Sequence, residues 1–422
     1  MSNKERTGEI TGKITAKPNP IFVGQGCAVI SWETNDPSGS EIRVATSTCE
    51  EKLVTRGGKS GRVEIDWIVD STNYEFRLYP ASRPSKPVDS VKVRHSGKPS
   101  HPLLAEVALE VKHGKLGVTE LSHFIAKVLP PCVHNAKFRE IFRLWERYGI
   151  HVTPVHFYQP IPNTQSLPEA LWNRPSELVG IDMNDAVQLD LLQNHFPKFR
   201  GEYDQFPAEP PGAPIRFHLN NGLFDGTDAL VAYCMIRHFQ PRLIIEVGSG
   251  FSSLVATEAI ARNGKSELIR IEPFPQDFLR KGVSGLHSLI EKKVEDIELE
   301  FFSQLQSGDI LFIDSSHTVR IGGDVNYLFL EVLPRLKPGV IVHVHDIFFP
   351  FDYRRDWVMD ELRFWAEQYL LQAFLTFNSE FEVLMANSYL GHRYMEDLKA
   401  TFANSPWWGG GSFWMRREPL TG

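Results

Sequence analysis

Gly248-Ser249-Gly250 closes an apolar run, Leu243-Ile244-Ile245-Glu246-Val247, and a helical pattern over residues 251–263 begins directly after it. A strand, a tight turn and a helix in that order present the free N–H groups of the helix start to a ligand. Glycine at both turn positions lets the backbone come close, because no Cβ intervenes. A second apolar run, residues 268–271, ends at Glu272, twenty-two residues past Gly250. A carboxylate there is placed to accept both hydroxyls of a ribose, so the two strand ends read as a nucleoside pocket. A dinucleotide fingerprint needs a third glycine where Ser253 stands. Glu246 would also repel a pyrophosphate, and it favours a cationic ligand.

Two further clusters end later strands: Phe312-Ile313-Asp314-Ser315-Ser316-His317 and His343-Val344-His345-Asp346-Ile347. Ligands of open α/β sheets lie beyond the carboxyl ends of the strands, so Glu246, Gly248, Gly250, Glu272, Asp314, His345 and Asp346 should gather at one edge. His317 and His345 are the candidate bases, since imidazole titrates near neutrality, with Asp314 beside them. His317 could equally cap a helix or bond a loop carbonyl. On a straight strand the side chains of His345 and Asp346 diverge, and only a turn there would let them act together. Glu295 and Asp296, after the third strand, either meet a base amine or are solvated loop charges. Phe348, Phe349, Phe351, Tyr353, Trp357, Trp407 and Trp408 could stack on a sugar or an aromatic acceptor, or serve packing. Arg354-Arg355 could meet an anion or stay solvated.

The acid, the Gly-x-Gly turn and the second acid together resemble the class I S-adenosylmethionine-dependent methyltransferases, of the methyltransferase-24 and O-methyltransferase kinds. The resemblance spans roughly residues 224–417 and is strongest over 243–349. It implies that Glu246, Gly248, Ser249 and Gly250 line the methionine moiety, that Glu272 holds the ribose and that Glu295 or Asp296 meets the adenine. In the metal-dependent O-methyltransferases of the catechol and macrolide-sugar types, strand-end carboxylates hold magnesium. Asp314 and Asp346 match that arrangement, with His345 where those families often carry an acid. Magnesium prefers oxygen, whereas imidazole suits manganese, iron or zinc. A divalent metal on Asp314, His345 and Asp346 and a metal-free site with a histidine base both stay open.

These residues need an α/β scaffold. Expected strands are 243–247, 268–272, 286–290, 310–314 and 340–345, and expected helices are 228–239, 252–262, 301–306, 324–336 and 357–371. That alternation is a doubly wound, Rossmann-like sheet. Residues 381–386 and 412–416 add two strands without a crossover helix, which gives the seven-stranded methyltransferase form with an antiparallel last strand. Upstream, residues 8–96 carry short alternating runs (28–32, 42–45, 62–67, 74–78, 88–94) between turn residues, the pattern of an all-β sandwich. Val29-Ile30-Ser31-Trp32 and Tyr74-Glu75-Phe76-Arg77-Leu78 resemble strands of immunoglobulin-like and fibronectin type III domains. A linker, residues 96–102, leads to a helical and loop region, 103–223, with helices at 103–111, 118–128, 135–148 and 185–196. Its aromatic passage 156–164 is a lid or a packed strap. The catalytic domain takes 224–417.

At 422 residues with 42% hydrophobic content the chain can bury more than one core, and a net charge of -7 argues against nucleic-acid or membrane-surface partners. No secretory h-region and no membrane span is visible, and Cys27, Cys49, Cys132 and Cys234 lack metal or redox spacing. The expectation is a cytoplasmic methyltransferase acting on an oxygen of a small-molecule or carbohydrate acceptor. Two rivals remain: a metal-dependent hydroxylase or other oxidoreductase, with His317, His345 and Asp346 as a facial triad, and a non-catalytic binding protein with a degenerate pocket.

Overall fold

The computed structural model describes residues 10–23, 28–46, 51–65, 68, 73–99, 102–128, 136–212, 216–280 and 288–418. Cys27, Cys49, Cys132 and Trp67 lie outside them, and Cys234 is a buried free thiol. The chain forms two compact units, Met1–Pro160 and Ile161–Gly422. The division falls inside 103–223, so the first three expected helices group with the β-rich unit.

In the first unit, β1 (Gly12–Lys17), β3 (Ala28–Thr34) and β6 (Ser60–Ile65) make one sheet. The other runs β2 (Ile21–Val23), β8 (Asp89–Pro99), β7 (Asn73–Pro80), β4 (Ser40–Thr46), β5 (Lys52–Gly57). Ile14, Ile30 and Trp32 of the first sheet and Ile42, Phe76, Leu78 and Val93 of the second share one buried core. A two-sheet sandwich results. β1, β2 and β5 are additional to the expected strands, and β8 runs on through most of the expected linker. β1 alternates polar and apolar residues over Lys13-Ile14-Thr15-Ala16-Lys17, but only Ile14 of it is buried, too short an apolar signal to mark a strand. The helices Pro102–Lys112, Val118–Val128 and Ala136–Glu146 follow.

The second unit is built on β9 (Leu243–Val247), β10 (Glu267–Ile271), β11 (Leu289–Ile290), β12 (Ile310–Ile313), β13 (Ile341–Val344), β14 (Phe381–Ala386) and β15 (Phe413–Arg417). Their spatial order is β11-β10-β9-β12-β13-β15-β14. The first five are parallel, and β15 lies antiparallel between β13 and β14. This is the seven-stranded methyltransferase-like sheet that the alternation of strand and helix predicts. Leu243, Ile245 and Val247 enter one apolar core and Ile244 the other, so helices must cover both faces. One cover is Gly226–Phe239, packed on Phe251–Asn263.

Several helices differ from expectation. Residues 357–371 do not form one helix. Arg355–Met359 and Glu367–Leu375 are separated by a turn with Leu362 at φ +58°. There Arg363 lies over the Trp357 and Trp365 rings, 4.7 and 5.1 Å from their centres. The amides of Ala366 and Glu367 bond to the His317 carbonyl at 2.9 and 3.1 Å. Tertiary contacts thus override the helical periodicity. Residues 301–306 likewise give only a short 3-10 turn, Leu299–Gln304. The long excursion before β15 contains two helices, Asn387–Arg393 and Met395–Thr401.

Two features of β9 set the site. Gly248 has φ +80°, and any Cβ there would overlap the Asp314 carbonyl. Gly264, at the other end of the following helix, has the same φ but open space around it. Gly248→Ala should therefore cost about 3 kcal/mol or more, from backbone strain plus overlap, against about 1 kcal/mol for Gly264→Ala. Equal urea midpoints for the two variants would contradict this. Glu246 occupies an inward position and is 1% exposed, bonded to the Ser253 hydroxyl. Its register partner Arg270 is 2% exposed. Burial pushes the Glu246 carboxyl up from 4.5 to about 7, with Ser253 and Arg270 opposing. Because the folded value is the higher one, this contribution to stability is intact below pH 4.5 and is lost as pH rises through about 7. Glu246→Gln should remove the effect. The stability difference between wild type and variant should shift by up to about 3 kcal/mol over that range, in favour of Gln at high pH. A difference that stays flat with pH, measured by urea unfolding, would refute the assignment.

Candidate active site

The carboxyl ends of β9, β10, β12 and β13 open onto a cavity of about 1000 Å³. Gly248, Ser249, Gly250 and Glu272 line one side of it, and Asp314, His345 and Asp346 line the floor. A smaller cavity of about 230 Å³ adjoins it, sharing Gly248, Glu272 and Asp314 and reaching Glu295. Glu272 is oriented by backbone donors: Oε2 accepts from Ser249 N at 3.1 Å and Oε1 from Phe274 N at 2.7 Å. Each oxygen keeps lone-pair capacity for a ligand hydroxyl. Glu246 lines neither cavity and lies beneath the glycine turn, while Asp296 is exposed and also lines neither. The sequence groups both with the ligand contacts. The structure gives Glu246 the job of fastening the helix that follows the turn, through Ser253.

At the floor and directly behind it, four carboxyl groups surround two imidazoles. Asp346 adopts φ +56°, the turn that lets it and His345 face the same space. His345 Nδ1 stands 3.4 Å from Asp314 and 3.7 Å from Asp346, and its Nε2 3.5 Å from Asp228. His317, also at φ +56°, places Nε2 3.4 Å from Asp314 and 3.5 Å from Asp346, with Nδ1 2.8 Å from Glu367. Burial opposes both imidazolium charges. The carboxylates outweigh it, raising His317 to about 10 and holding His345 well above the usual histidine range. Burial also opposes the Asp314 carboxylate, yet the two histidines keep it well below its usual value. Glu367 and Asp346 are pushed up by burial, and the histidines only partly offset this.

One ligand atom each from Asp314, His317 and Asp346 lie within 4.8 Å of one another. The sequence groups His345 with the two aspartates as metal ligands; the convergent set has His317 in that position. His343 is fully buried, stacked on Phe312 with ring centres 3.8 Å apart, and belongs to the core. Asp228 and Glu367 escape sequence reasoning. Asp228 sits in the helix before β9, where it accepts from Asn387 Nδ2 at 2.8 Å and from Gly411 N and Ser412 N at 2.9 Å. An acid on a wholly buried helical turn is the one signal that could have found it. Glu367 is hidden by the apparent continuity of 357–371.

The far wall carries Phe348, Phe351, Trp357, Trp407 and Trp408. Trp357 is flanked by Arg354 and Arg363, each paired to a nearby carboxylate, Asp356 at 2.6 Å and Glu361 at 2.5 Å. Trp407 is fixed by its indole N–H to Asp225 at 3.1 Å, and Trp408 by its own to the Phe402 carbonyl at 2.9 Å. Arg355 pairs with Glu169 at 3.0 Å and is not among the lining residues. Phe349 and Tyr353 are buried and serve packing. Among the described residues no helix is long and apolar enough to cross a membrane.

The family model described as a methyltransferase domain matches residues 245–347. The stretch starts inside β9 and ends just past Asp346, so it contains the glycine turn, Glu272, Asp314, His317 and His345. An uncharacterized protein of Archaeoglobus fulgidus is 35% identical over 169 residues, covering 37% of this chain and 75% of that protein. With a seven-stranded sheet of the right order and its glycine turn and acids at one edge, the chain belongs to the class I methyltransferase family.

Proposed function

We propose that the protein transfers a methyl group from S-adenosylmethionine to an oxygen of a small-molecule or carbohydrate acceptor. One observation carries this reading: a glycine turn and a backbone-oriented Glu272 open into the same cavity as Asp314, His345 and Asp346. Glu272 would take the ribose hydroxyls, and Glu295, on the adjoining cavity, the adenine side. Gly248, Ser249 and Gly250 would pass the methionine moiety toward the carboxyl cluster, whose negative potential favours a sulfonium.

When bound, that cofactor supplies a methyl carbon already activated by positive sulfur. The acceptor oxygen forms the new bond to carbon while the carbon–sulfur electron pair leaves with sulfur. The protein has to align the two and take the acceptor's proton. His345 lines the cavity and is coupled to Asp314 and Asp346 over 3.4 and 3.7 Å, so the proton is assigned to the group and not to one residue. His317 lies outside the lining residues, and its part is to hold Asp314 and Asp346 from behind. Trp407 and Trp408 offer flat faces to a sugar or aromatic ring.

A divalent metal also fits the cluster. The Nε2-to-carboxylate separations of 3.4 and 3.5 Å exceed the roughly 2.7–2.9 Å of a charge-assisted hydrogen bond, so the donors converge without closing on one another. Asp314, His317 and Asp346 would hold such an ion, and it would lower the pKa of an acceptor hydroxyl.

Calorimetric titration should show one S-adenosylmethionine site. Glu272→Ala should weaken it about 10- to 100-fold, the equivalent of one hydrogen bond to a charged group. S-adenosylhomocysteine should lose as much, because the ribose contact does not involve the methyl group. Absence of binding by the wild type, or unchanged affinity in the variant, would sink the proposal.

A further inference from the structure

We infer that the metal centre is selective for nitrogen-accepting transition ions over magnesium, and that Glu367 is the positioning residue that turns His317 into its ligand. The inference rests on the metal reading given under the proposed function and specifies which chemistry of ion the site takes.

His317 is attached to the start of the helix Glu367–Leu375 in two ways. Its carbonyl accepts from Ala366 N at 2.9 Å and from Glu367 N at 3.1 Å. Its Nδ1 lies 2.8 Å from Glu367 Oε2, and the Trp365 ring packs against the imidazole with centres 4.4 Å apart. Backbone and ring are therefore held by one short segment, fifty residues away in sequence. With Nδ1–H donating to Glu367, an ion that displaces the Nε2 proton would meet the ring's lone pair on Nε2. That is the atom facing Asp314 and Asp346. A carboxylate behind a ligating histidine fixes the tautomer and raises the basicity of the ligating nitrogen. The Glu367 side chain is 1% exposed, and its second oxygen has no hydrogen-bond partner.

Two carboxylates and one imidazole make a mixed donor set. Magnesium prefers oxygen ligands throughout, while manganese(II), iron(II), cobalt(II) and zinc(II) accept imidazole readily. His345 stays outside this set. It lines the cavity, with its buried Nε2 facing Asp228 at 3.5 Å.

The test uses the full-length protein, treated with chelator and titrated separately with manganese, cobalt and magnesium chlorides without nucleoside. One equivalent of manganese or cobalt should bind at least about 10-fold tighter than magnesium. Pulsed electron paramagnetic resonance of bound manganese should show nitrogen coupling in the unmodified protein, a readout independent of any variant's folding. Glu367→Gln should lower cobalt affinity by about 10- to 100-fold. His317→Asn should shrink the cobalt-to-magnesium ratio, a change that general loss of structure does not produce. If magnesium binds as tightly, or no nitrogen coupling is seen, the selectivity is overturned while a metal site survives. Unchanged cobalt affinity in a folded Glu367→Gln protein overturns the role of Glu367. If no ion binds at millimolar concentration, the metal reading itself fails, and the nucleoside titration above still decides the methyl-transfer reading independently.

Discussion

Four carboxyl groups packed around two imidazoles at the end of a parallel sheet are the constraint to which the catalytic unit is adapted. Asp228, Asp314, Asp346 and Glu367 come from four separate parts of the chain, and His317 and His345 hold them together. In a low-dielectric interior such a group persists only if positive charge is supplied, because unpaired buried carboxylates are costly. Protonated histidines supply some of it, as the raised values of both rings indicate. The same excess of acid makes the cavity receptive to a cation, whether a sulfonium or a divalent metal.

Backbone geometry brings the cluster together. His317 and Asp346 both take left-handed conformations that cost non-glycine residues energy, and both stand where a strand has just ended. Without the turn at Asp346 its carboxylate and the His345 ring would lie on opposite faces of the sheet. Gly248 plays the complementary part at β9, where the main chain passes so close to Asp314 that no side chain fits. Two of the seven non-glycine residues with positive φ among the described residues thus belong to this cluster, and wholly buried strands lead into them.

Much of this was legible in the sequence. Buried parallel strands read as near-continuous apolar runs, and turns and helices follow at fixed offsets, so β9 and β14 match their expected ends and Glu272, Asp314 and His345 fall at strand termini. What stayed hidden depends on contacts distant in sequence. Glu246 looks like a ligand contact because it precedes the glycines, but strand alternation turns it under the helix Phe251–Asn263. His317 and His345 are equivalent on paper, and Glu367 distinguishes them. The break before Glu367 has no proline or glycine to announce it. It exists because Arg363 stacks on two tryptophans and the His317 carbonyl captures two amides.

Asp228 joins the chemical floor of the cavity to its recognition wall. Its carboxylate lies 3.5 Å from His345 and also accepts the amides of Gly411 and Ser412. A Cβ at Gly410 would overlap it, and one at Gly411 would press on the Asp346 backbone. Gly410 and Gly411 are therefore required by close approach and Gly409 by its φ of +100°, so the run is not a mere spacer. Trp407 and Trp408 stand immediately before that run, so the aromatic wall of the cavity is fastened to the residue that neighbours His345. Ile347 N bonds to the Gly411 carbonyl at 2.8 Å, which closes the loop onto the end of β13. Movement of the tryptophan wall would disturb His345 and Asp346 through these bonds, so on the proposed function acceptor placement and proton transfer would be mechanically coupled.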